Sequence, residues 1–140
     1  MKKKKVPKKR RSFWFIQPAH PYKNDICIFV GMTWEQVDKD FNVKDKSLKK
    51  FLETKKELFE EIMSGKMNGY KLRKDDTDHL FLILPPPKNN WEYWETLLHE
   101  TAHLVQDLAY MKMLGGETEA QAYLHEHLFR SIRRKIMGLK

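Results

Sequence analysis

His99, Glu100 and His103 form the pattern H-E-x-x-H within LLHETAHLV, residues 97–105, a stretch that otherwise reads as helix. Histidines four apart on a helix are about 40° apart around its axis and one turn apart in height, so both imidazoles can reach one ion. Zinc suits two neutral imidazoles plus a carboxylate, with a fourth position left for water. Glu100, beside the first histidine, falls on the same side without needing to ligate, where it can hold such a water and take its proton. Polarisation of a carbonyl by a Lewis acid and acidification of water are together the chemistry of amide hydrolysis. The competing explanation is a hydrogen-bonded pair of core histidines, because three fixed positions in five residues also arise by chance. The flanking LL and LV mark a helix packed in a core with one polar face. Polar groups are costly there unless something satisfies them, and either a metal or mutual hydrogen bonding would.

A third ligand has three candidates. Asp107 continues the i, i+4, i+8 series but stands about 12 Å along the helix from His99, too far for bonds near 2 Å. It is expected beside the site or at the surface. Glu117 and Glu119 follow Gly115 and Gly116, where the chain can turn and bring the next helix back antiparallel. Two residues apart, they point about 200° apart on a helix, so at most one can face the ion. With Thr118 as the cap, Glu119 is the first helical residue and Glu117 precedes the helix. His125 and His127 lie about 9 to 12 Å beyond Glu119 along that helix and are expected at the surface. His20 and His79 have no partner at a diagnostic spacing.

The elements that must position these residues are legible from periodicity and punctuation. SFWFIQPAHPY opens the ordered part with a short strand, and DICIFVG is an apolar, β-branched strand closed by Gly31. Thr33 with Gln36 makes a capping box before a short helix at WEQVDKDF. From Asp45 to Ser64, Leu48, Phe51, Leu52, Leu58, Phe59, Ile62 and Met63 form one apolar stripe, which predicts a single amphipathic helix ending at Gly65. NGYKLRKDDTDHLFLILPPP then reads as two strands around an acidic turn. HLFLIL is apolar enough to lie inside a sheet or along its covered edge, and the three prolines end it. Asn90 caps a helix from Trp91 to Leu114, and Thr118 with Gln121 caps a last one to Met137. This order suggests a small α+β domain.

At 140 residues and 41% hydrophobic, the chain is long enough for one core and too short for two. Its formal charge of +8 is concentrated at one end, for MKKKKVPKKRR holds eight Lys and Arg and no acid. Taking those eight from 27 leaves 19 basic residues against 19 acidic ones. Residues 1–12 are therefore read as a basic disordered tail and 13–140 as a single domain. Such a tail can neutralise phosphates of nucleic acid, sit on an anionic surface, act as a nuclear localisation signal in a eukaryotic host, or serve only as a solvated extension. The apolar segment after it is too short for a signal peptide, and no run is long enough to span a bilayer. The single Cys27 excludes an internal disulfide and fits a reducing, intracellular setting.

HETAH, followed after a short loop by ETEAQAYLHEHLF, resembles the zincin metallopeptidases of the gluzincin type. It is similar to small metallopeptidases encoded by phages and prophages, in which H-E-x-x-H precedes a helix opening E-x-x-A-Y-L. That second motif reads Glu119, Ala122, Tyr123 and Leu124, and the likeness covers roughly residues 91 to 130. The resemblance implies a zinc ion held by His99, His103 and Glu119, with Glu100 as general base. It also implies a zincin-like domain in which a short mixed sheet packs against helices, its edge strand holds an extended substrate, and a C-terminal ligand helix follows the motif helix. A broader pattern, E-x-x-A followed by Asp or Asn, also fits over Glu117, Ala120 and Gln121, so the choice between the two glutamates stays open. Tyr123, one turn beyond Glu119, can point into the cleft and donate to an oxyanion, or pack between the helices. The expected activity is zinc-dependent hydrolysis of a peptide or protein substrate, in the cytoplasm of a bacterial host. The alternative is a catalytically silent zincin fold that serves nucleic acid or a protein partner through the basic tail.

Overall fold

Two apolar strands lie at the centre of the fold. The computed structural model describes residues 12–20, 22, 24–74, 79–112 and 118–138. Residues 1–11 of the basic tail, the acidic turn, the diglycine and Glu117 lie outside the described residues. Strands β2 (Asp25–Val30) and β4 (His79–Leu84) are parallel neighbours, in the register Ile28 to Leu82. β1 (Phe13–Pro18) adds antiparallel to β2 and β3 (Tyr70–Lys74) antiparallel to β4, giving the order β1-β2-β4-β3. Central strands covered on both faces need apolar residues at every position, which explains why DICIFV and HLFLIL lack a polar alternation. HLFLIL therefore lies inside the sheet, and the edges are β1 and β3.

Side chains alternate between two layers, as the pleat requires. Ile26, Ile28, Val30, Leu80, Leu82 and Leu84 pack in one core cluster with residues of α4 (Trp91–Met111) and α5 (Thr118–Met137). Cys27, Phe29, Phe81 and Ile83 join the other, under α1 (Trp34–Asp40), α2 (Lys46–Glu53) and α3 (Lys56–Met63). Phe29 is fully buried there, with its ring centroid 5.1 Å from that of Phe41 and 5.6 Å from that of Phe59. The molecule is thus an α+β domain: a four-stranded mixed sheet with helices on both faces.

Most of the expected punctuation is present. The Thr33 hydroxyl accepts from Gln36 N–H at 3.2 Å while the Gln36 side chain accepts from Thr33 N–H at 2.9 Å, closing the capping box. Gly31 and Gly65 both adopt positive φ. One expected helix is two. The stripe from Asp45 to Ser64 breaks at Thr54–Lys55, where a lysine takes the next inward position after Leu52. There the Thr54 hydroxyl donates to the Phe51 carbonyl at 2.6 Å, and Lys55 N–H turns back to Leu52. Each half then buries its own pair, Leu48 with Leu52 and Phe59 with Ile62.

Asn90 starts α4, its side-chain oxygen accepting from Tyr93 N–H at 2.9 Å. The described helix ends at Met111, three residues before the expected Leu114. α5 buries Leu124, Leu128, Ile132 and Ile136, a strict four-residue repeat. The Arg133 guanidinium lies over Trp94, 5.0 Å from the ring centroid, and His125 reaches Leu98 and Thr101. Late residues of α5 therefore meet early residues of α4, which makes the two helices antiparallel. No helix among the described residues is long and apolar enough to cross a membrane.

Candidate metal centre

The face of α4 opposite its core stripe carries the chemistry. Leu97, Thr101, Leu104 and Leu108 pin one side of the helix into the core, which turns His99, Glu100 and His103 toward a cleft of about 900 Å³. The opposite wall comes from the end of α3, the residues after β4, and the first residues of the edge strand β3. Gly69 lets that strand approach α4 closely. A Cβ there would stand 3.1 Å from Thr96 Cγ2 and 3.3 Å from the Ile83 carbonyl oxygen, tighter than neighbouring atoms allow without shifting. β3 is thus held beside the motif helix by a residue that has no side chain to keep them apart.

The two imidazoles converge. His99 Nε2 and His103 Nε2 are 3.1 Å apart, with the rings nearly perpendicular. His103 Nδ1 lies 3.2 Å from the Gln106 side-chain oxygen, which can accept only if that nitrogen carries the proton. The lone pair of His103 then sits on Nε2, as ligation requires. Ligand nitrogens about 2.0–2.1 Å from a tetrahedral zinc are about 3.3 to 3.4 Å apart, close to the observed separation. Glu100 completes the group, with ligand atoms of the three residues all within 4.8 Å of one another. His99, Glu100 and His103 can therefore hold a metal ion, and their two nitrogens and one carboxylate are a donor set that zinc accepts.

Glu100 is only 6% exposed although it borders the cleft. Burial pushes its carboxyl above the usual carboxylate range, while His99, His103 and Lys71 draw it back. A raised value in the folded state makes ionised Glu100 a cost to the metal-free fold. That cost is absent below the unfolded value near pH 4.3 and develops as the pH rises through the folded one. In chelator-treated protein, Glu100→Gln should raise Tm by a few degrees at pH 7 and leave it nearly unchanged at pH 4. Thermal melts across that range check the sign.

The other candidates fall in different places. Asp107, expected beside the site or at the surface, lies beside the cleft without lining it: its carboxylate meets Lys71 Nζ at 2.7 Å and Arg73 at 3.7 Å, tying α4 to the edge strand. Glu119 is exposed on the first turn of α5 and does not belong to the His99–Glu100–His103 group; Glu117 lies outside the described residues. Tyr123 is 60% exposed, stacks on His127, and does not line the cleft. His127 is half-buried instead of exposed, with Nε2 buried and without a hydrogen-bond partner among the described residues. Cys27 is buried in β2, where burial and the neighbouring Asp25 charge push its thiol up to about 11.

His125 is the residue that sequence reasoning missed. Expected at the surface, it is half-buried, with Nε2 3.0 Å from the Leu98 carbonyl and 3.1 Å from the Thr101 hydroxyl. Its signal in the sequence is slight: a histidine one residue after the inward-facing Leu124, at the border of the apolar stripe of α5. Comparison with protein families, curated proteins and solved structures finds no match for the chain.

Proposed function

We propose that the chain is a zinc-dependent metallopeptidase. The observation that carries this reading is the convergence of His99 Nε2 and His103 Nε2 at 3.1 Å, with the Glu100 carboxylate beside them, on the wall of a cleft bordered by an edge strand. Zinc, when bound, supplies Lewis acidity toward a carbonyl oxygen and toward water. His99 and His103 hold the ion, and Gln106 fixes the tautomer of His103. Glu100, shielded from solvent yet facing the cleft, accepts a proton from the attacking water and later returns it to the leaving amine. β3 pairs through one edge only among the described residues, so its other edge offers main-chain donors and acceptors to an extended peptide. The resemblance adds Glu119, exposed on the first turn of α5, as third ligand.

The test is cleavage of a mixed peptide library by protein purified without chelators. Activity that a chelator abolishes and added zinc restores is the expected outcome. A wild type that carries zinc and cuts nothing would refute the peptidase while leaving the metal centre standing.

A further inference from the structure

The H-E-x-x-H helix is gripped from behind by α5. Leu98 and Thr101 flank the first two residues of the motif, and His125 Nε2 lies within hydrogen-bond distance of both. A carbonyl oxygen only accepts, so Nε2 carries a proton and donates to Leu98 O, sharing it with the Thr101 hydroxyl. The hydroxyl in turn lies 2.9 Å from the Leu97 carbonyl and 3.0 Å from that of Leu98, to which it can donate. Thr101 is fully buried. Four polar atoms from two helices are thus joined around the buried Thr101 hydroxyl, on the turn of α4 that carries His99 and Glu100.

We infer that His125 is a positioning residue that sets the register between the helix bearing His99 and His103 and the helix bearing Glu119. This rests on the metal reading above. The antiparallel pairing makes the register concrete. Glu119 precedes His125 by six residues, about 9 Å along α5, which places it level with the turn of α4 that follows His103. From there a glutamate side chain can extend toward the site. A slip of one helical turn, about 5.4 Å, would carry it out of reach. The other described acid on α5, Glu126, is paired with Arg130 at 2.6 Å and lies past the clasp. Apolar contacts of the Leu124, Leu128, Ile132 and Ile136 stripe repeat every turn and discriminate poorly between registers. A directional hydrogen bond to one named carbonyl does discriminate.

Zinc affinity, measured by competition with a chelating indicator, and the absorption spectrum of the cobalt-substituted protein test this in wild type, His125→Ala and His125→Gln. The glutamine amide can donate from nearly the position of Nε2. His125→Ala should bind zinc about 10- to 100-fold more weakly and show an altered cobalt spectrum, and His125→Gln should restore both. Equal affinity and an identical spectrum in His125→Ala would overturn the inference alone, whereas a wild type that takes up no zinc would overturn the metal reading and this inference with it. Should His125→Ala fail to fold, recovery by His125→Gln of both fold and affinity supports the clasp; failure of both variants refutes it.

Discussion

Replacing Glu100 with glutamine should lower peptide cleavage by about 10²- to 10⁴-fold, the usual contribution of a general base, with zinc content unchanged. The substitution keeps the shape of the side chain and removes its capacity to take a proton. Because Glu100 is nearly enclosed, bulk water cannot readily replace it, which places the expected loss toward the upper end. The zinc measurement separates two roles the geometry allows. Glu100 lies within ligand distance of both histidines as a group, so it can serve as base or as ligand. Loss of activity with zinc retained assigns it as base. Loss of both assigns it as ligand, and full activity would remove it from the chemistry.

The parts of this fold that the sequence reveals are those governed by near neighbours. The DICIFV and HLFLIL runs announce doubly covered strands, and Thr33 and Asn90 announce helix starts, because each signal depends on residues within one or two turns. The face of α4 that carries His99 and His103 is legible for the same reason, since four-residue spacing fixes the angle between them. The break at Thr54–Lys55 is harder to foresee. The apolar stripe continues in composition across it, and only the lysine at an inward position betrays the change of axis. His125 depends on how two helices slide past one another, through contacts 24 and 27 residues apart in sequence, and no local pattern encodes that. Tyr123 shows the same limit from the other side: one turn from Glu119 in sequence, it faces outward and rests on His127.

Removing one imidazole should empty the site. Wild type at a free zinc concentration about 100 times its dissociation constant gains about 2.7 kcal/mol of stability, a rise in Tm of several degrees for a domain of this size. His103→Ala should show no such rise and carry no zinc, because a single remaining imidazole and a carboxylate cannot compete with water and buffer for the ion. Glu119→Gln and Glu117→Gln, compared in the same melt, decide the third ligand. The resemblance expects the zinc-dependent rise to disappear in Glu119→Gln and persist in Glu117→Gln. The reverse pattern would move the ligand to the residue before α5. Persistence in both would leave Glu100 as the site's own carboxylate, so that the base would have to be sought elsewhere along the cleft and the gluzincin reading would fall.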